Sequence, residues 1–214
     1  MAKFKLGFYS AWVAAIAAAC YTVSQILQVI GLVGKPLDDI LIFGFSLCIA
    51  PPFLMAMLTL HYSVEQDKKI WTHAALLFAV MYNTFVLLMY VVQLASVIPY
   101  GVTDPVLTVT PHSLFWDIDA LGYMNMGLST LFAVPALRND RTERYAKWFF
   151  LAHGLVTPIV GFVYFSPKFS IPLLLMASPW SITACGSTVF LAYLFKGKLL
   201  GGYPEKQVIS DVSG

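Results

Sequence analysis

Six apolar runs, near residues 7–32, 39–62, 71–98, 112–137, 147–166 and 170–195, leave this chain of 214 residues almost no polar stretch from which to build a water-facing surface. Each run is about 20 residues or longer, the length a helix needs to cross roughly 30 Å of hydrocarbon. Hydrophobic residues make up 59% of the chain and charged residues 11%, with a mean hydropathy of +0.76. Soluble domains carry about a quarter charged residues, so the chain belongs in a bilayer. A strand barrel would show segments of about 10 residues in strict alternation, and these runs are long and continuous. The expected fold is therefore all-α, an integral membrane bundle of six transmembrane helices forming one domain over residues 1–200. The first run continues well past Cys20. It exceeds the 7–15-residue core of a signal peptide and reads as an uncleaved first helix.

Basic residues are retained on the cytoplasmic side, and their distribution predicts an orientation. Lys3, Lys5, Lys68, Lys69, Arg138, Arg141, Arg144, Lys147, Lys196, Lys198 and Lys206 fall on one side of a six-span chain, with only Lys35 and Lys168 on the other. Both termini are expected in the cytoplasm and the protein in a cell membrane. The net charge of +2 comes from this basic rim. Its expected partner is the anionic bilayer surface, and nothing in the pattern calls for nucleic acid. Cys20, Cys48 and Cys185 lie inside spans at unpatterned spacings and are expected as small buried apolar side chains.

Connections between spans are short, and the polar tail over 201–214 is expected to be a mobile cytoplasmic segment. Trp12, Trp71 and Trp148 fall near the basic ends of their spans, where an indole ring prefers the headgroup level. Prolines punctuate three spans: Pro51 and Pro52, Pro158, and Pro179. Each removes a backbone donor and frees a carbonyl one turn earlier, so each is expected to kink its helix and open backbone groups to neighbours or to a cavity.

The fourth span, beginning "PHSLFWDIDALGYMNM", holds Asp117 and Asp119. Thr110 is the expected cap and Pro111 the first helical residue. Two residues apart on a helix is about 200° of rotation, so the two acids face opposite ways and cannot work as a dyad. Asp119 shares a stripe with His112 and Tyr123. At the same depth the first span carries Tyr21, Ser24, Gln25 and Gln28 on one stripe, and the third carries Tyr90 and Gln93 near its end. Amides and ionised acids facing lipid are costly, so these groups are expected to converge on a polar pocket in the extracytoplasmic half. Its expected catalytic groups are Asp119, Tyr123 and His112. Its ligand-binding groups are Gln25, Gln28, Tyr90, Gln93 and Asp117. An acid in that setting can exchange a proton, which suits acid–base chemistry or proton-linked binding.

His61, His73 and His153 each fall near the basic end of a span. No HExxH or close histidine pair is present, so they are read as interfacial histidines without a metal, and the sequence names no cofactor. The "GLST" of Gly127 to Thr130, with His153 one span later, lacks the second glycine that a serine hydrolase would need to bring backbone to an oxyanion. Three functions remain open: a pocket that binds a small lipophilic or amphipathic molecule and acts on it; a proton-linked carrier; and a non-catalytic subunit of a larger membrane complex. For six short spans, alternating access calls for a homo-oligomer.

Overall fold

The computed structural model describes residues 1–140 and 143–200, and the expected tail over 201–214 lies outside them. Six long helices form the bundle: α1 (Ala2–Val29), α2 (Leu37–His61), α3 (Lys69–Val92), α4 (Leu114–Ala133), α5 (Arg144–Phe165) and α6 (Pro179–Leu200). No strand occurs among the described residues. Five of the helical stretches, all except α4, are long and apolar enough to cross a membrane. The chain is an all-α, multi-pass membrane bundle.

The helices close into a ring in chain order. Each packs on its sequence neighbours, and α6 returns to α1. Short connections force the neighbours antiparallel. Small residues set the seams: Ala11, Ala14 and Ala18 of α1 are wholly or almost wholly buried, as are Ala50 and Ala56 of α2. Packing without a hydrophobic drive favours such close backbone approach. Gly127 of α4 lies so close to Thr157 of α5 that no side chain fits between them.

Helix α4 falls short of the apolar threshold because it carries Asp117, Asp119 and Asn125. Its place in the ring resolves the cost: Asp119, Tyr123, Asn125, Ser129 and Thr130 are all buried, between α3 and α5. The helix begins later than expected. Ser113, not Thr110, caps it by accepting from the Trp116 amide at 3.2 Å. Pro111 stays in the preceding turn, and His112 adopts a positive φ of 69° there.

One end of the ring is closed by charge. Lys3 donates to the Tyr62 carbonyl at 3.0 Å, Lys198 pairs with Glu143 at 3.0 Å, and Arg138 pairs with Glu65. The Arg138 guanidinium beside Glu65 holds its carboxyl below the usual carboxylate range. We call this the lysine end and the opposite one the aspartate end.

The prolines separate into two groups. Pro51, Pro52 and Pro158 sit inside unbroken helices, with Pro51 and Pro158 exposed. Only Pro179 marks a break. A short helix, Ile171–Met176, ends at Ala177 and Ser178, and α6 restarts at Pro179. The cysteines also depart from expectation: Cys48 is exposed and Cys20 and Cys185 are half-buried.

Candidate functional site

Asp119 lies one and a half turns into α4, facing the interior, where the surrounding helices bring tyrosines. Tyr90 of α3 donates to Asp119 Oδ1 at 2.7 Å, and Tyr164 of α5 donates to Oδ2 at 2.9 Å. The Tyr90 and Tyr123 hydroxyls lie 2.9 Å apart, and those of Tyr123 and Tyr21 3.0 Å apart. One carboxylate thus anchors a hydrogen-bonded chain that crosses four helices. The chain's positions are fixed by packing: Tyr90 stacks on Phe43 at 5.3 Å, and Tyr164 lies 4.5 Å from the Trp116 ring. Trp116 also donates its indole N–H to the Tyr164 carbonyl at 3.0 Å.

Beside this network is a cavity of about 310 Å³, within the size range of small-molecule sites, roughly 300–1,000 Å³. Its inner wall is Tyr21, Tyr123, Tyr164 and Trp180. The break between the short helix and α6 supplies Leu174, Ala177 and Ser178, and α1 supplies Gln25 and Gln28. Trp180 stands edge-to-face with Tyr123 at 4.6 Å and with Tyr21 at 5.7 Å.

The sequence-predicted residues divide accordingly. Tyr90, Asp119 and Tyr123 meet in the network. Tyr123 reaches the acid only through Tyr90, because successive side chains at i and i+4 climb the helix while both Asp119 oxygens are already taken. Gln25 and Gln28 line the cavity, but the Gln28 amide is committed to Asp38 Oδ2 at 2.8 Å. Gln93 is buried and turned away from the cavity. A π-helical turn over Gln93–Val97 directs its amide to the Leu107 carbonyl at 2.6 Å, pinning the long loop before α4. Asp117 is half-buried and outside the cavity lining, and His112 is exposed in its turn. Neither contributes to the network. Three groups went unforeseen, one acceptor and two walls. Asp38 is buried at the start of α2, and Tyr164 and Trp180 close the site from α5 and α6.

The histidines are not one layer. His61 and His73 stand with ring centres 5.7 Å apart at the lysine end. His153 is instead wholly buried in mid-bundle, its Nδ1 2.9 Å from the Thr183 hydroxyl. The Thr183 hydroxyl also lies within reach of the carbonyls of Pro179 and Trp180, at 2.8 and 3.0 Å. The expectation of an interfacial His153 fails because α6 starts deep, bringing Thr183 and Trp180 to its level. Ser129 donates to the Ala75 carbonyl at 2.8 Å, which removes it from any pairing with His153. Among the described residues, no group of three or more histidine, cysteine or acidic side chains is placed to hold a metal ion.

Comparison of the chain with family models, with curated proteins and with solved structures found no match. The site therefore stands on its own geometry.

Proposed function

We propose that the cavity at the aspartate end binds a small lipophilic or amphipathic molecule, with the Asp119 network as the polar end of the site. The observation that carries this reading is the shared wall: Tyr21, Tyr123 and Tyr164 belong both to the cavity and to the hydrogen-bonded chain of a buried acid. Acids inside a membrane bundle are expensive and mark functional sites, and an apolar cavity with a few polar groups at one end is the usual form of a small-molecule site. The basic residues crowd at the lysine end. The positive-inside rule therefore supports cytoplasmic termini and a cavity in the extracytoplasmic half of a cell membrane.

Both Asp119 oxygens are occupied by phenols, so any proton exchanged with a ligand travels through Tyr164 or through Tyr90, Tyr123 and Tyr21. Binding is thus better supported than direct acid–base attack by Asp119. A proton-linked carrier is favoured by one further observation, the helix break at Ala177–Ser178 beside the cavity. Discontinuous helices are how transporters expose backbone groups to a substrate.

The test is photolabelling in nanodiscs with an alkyl diazirine of about ten carbons, with adducts mapped by peptide mass spectrometry. Concentration of label at Thr22, Ile26 and Leu174, and its loss when Ala177→Trp fills the cavity, is the expected result. Label spread evenly over outward-facing residues such as Val13 and Leu77 would remove the pocket.

A further inference from the structure

Resting on the pocket reading, the donor bookkeeping of the tyrosine network goes further and names the chemistry of the ligand's polar end. Four hydrogen bonds link Asp119, Tyr90, Tyr164, Tyr123 and Tyr21. A phenol has one proton to give. Tyr90 and Tyr164 spend theirs on the two carboxylate oxygens. With the Tyr90 proton committed, Tyr123 must donate to Tyr90, and with that proton committed, Tyr21 must donate to Tyr123. Four bonds consume four protons, all directed toward the acid. What Tyr21, Tyr123 and Tyr164 have left for the cavity are oxygen lone pairs and ring faces.

Of the other groups on the wall, two commit a proton elsewhere. Thr22 donates to the Ala18 carbonyl at 2.8 Å, and Gln28 donates to Asp38. The Trp180 indole nitrogen is buried with no partner and no accessible surface, so it is not presented to the cavity. The Gln25 amide, against the Tyr21 hydroxyl, and the Ser178 and Ser181 hydroxyls remain as donors on the lining, beside the acceptor phenols. No lysine, arginine or histidine among the described residues forms an ion pair with Asp119. Its two hydrogen-bond partners are phenols, Tyr90 from α3 and Tyr164 from α5.

We propose that the cavity takes a lipophilic amine in its protonated form, its ammonium seated among Tyr21, Tyr123, Tyr164 and Trp180 with Asp119 as counter-ion one phenol layer behind. Three independent features converge on a cation that donates. Acceptor-only phenols suit N–H donors, four aromatic rings around one end form the kind of cage that holds ammonium groups, and a buried carboxylate without a cationic partner is stabilised by one brought in with the ligand. An alcohol satisfies the first feature only, and a carboxylate none.

The same count says what neutralising the acid does. Asp119→Asn brings an amide with two N–H protons, so the network holds six protons for four bonds; one amide proton has no phenol to meet and the other enters the chain. The surplus emerges at Tyr164 if the amide donates that way, or at Tyr21 if it donates through Tyr90. Both residues line the cavity, so in either case the wall gains a donor and loses its counter-charge.

The experiment is competition against the diazirine label in nanodiscs, with hexylamine, hexanol and hexanoate as competitors at about pH 8, where an alkylamine remains protonated. Hexylammonium is expected to displace the cavity label at roughly tenfold lower concentration than hexanol, a factor that 1.4 kcal/mol supplies, with hexanoate weakest. The preference should vanish in Asp119→Asn. Should that variant not fold, Tyr123→Phe interrupts the relay, frees the Tyr21 proton toward the cavity and should narrow the preference. Equal displacement by amine and alcohol, or cavity label that neither displaces, overturns this inference and leaves the pocket intact. An absence of cavity labelling overturns the pocket and this inference with it.

Discussion

The two ends of the bundle handle their buried acids differently, although each also carries an exposed pair, Lys35 with Asp39 at the aspartate end. At the lysine end, acids and bases meet directly: Arg138 with Glu65, Lys198 with Glu143. These pairs tie connections between helices to one another, and half of them are exposed to solvent. At the aspartate end, Asp38 and Asp119 are both buried, and each is satisfied by neutral donors, an amide and a backbone N–H for one and two phenols for the other. Charge that is meant only to hold loops finds its opposite within the chain. Asp119 does not, and it is the one that borders an open cavity through its phenols. The contrast separates a structural use of ionisable groups from a site.

The largest expected effect breaks the contrast at its buried side. Asp119→Ala strips both acceptors from Tyr90 and Tyr164 and leaves two donors in a dry interior, each at roughly 1–3 kcal/mol. Thermal unfolding in detergent should show a loss on the order of 2–5 kcal/mol. Asp119→Asn retains an acceptor and a donor and should lose far less. If the two variants unfold alike, the phenols are satisfied elsewhere and the network is not what holds this end together.

Much of this end was legible in the residues themselves. The polar stripe of α1, Tyr90, and the inward acid of α4 follow from helical periodicity and from the cost of polar groups facing lipid. Periodicity gives a direction around one helix and no information about which neighbour waits there. That is why Gln93 was placed in the pocket although a π-helical turn rotates it toward Leu107. Tyr164 was missed for a related reason. The turn of helix before it is wholly apolar and marks out no polar stripe, so only the packing of α5 on α4 reveals its bond to Asp119. The deep start of α6 was likewise hidden, because Pro179 looks the same whether it kinks a helix or begins one.

A smaller effect probes the lysine end at its best-buried pair. Glu143 accepts from the Arg138 amide at 2.8 Å through one oxygen and pairs with Lys198 through the other, and both side chains of the ion pair are nearly enclosed. Glu143→Gln keeps an acceptor for the amide and removes the charge opposite Lys198. A loss of about 1–2 kcal/mol is expected in the same unfolding assay, the range of a charge-assisted hydrogen bond. Cavity photolabelling should be unchanged, since the pair lies at the opposite end from Tyr21 and Trp180. A change in labelling would mean that the two ends are coupled and would dissolve the distinction drawn between them.

The smallest effect belongs to Glu65, whose pair with Arg138 is open to water. Its carboxyl is held below the ordinary value of 4.5, first by the hydrogen bond from Arg138 and then by that cation's charge. A group depressed on folding contributes stability above its unfolded value and loses it as pH falls through the lower folded value. The contribution of Glu65 should therefore be complete at neutral pH and disappear below about pH 4.5. Glu65→Gln should flatten that acid limb of the unfolding curve and leave the rest of the profile in place. High salt should mimic the variant, because at about 1 M the screening length falls to roughly 3 Å. An acid limb that persists unchanged in Glu65→Gln would remove Glu65 as the group that titrates there.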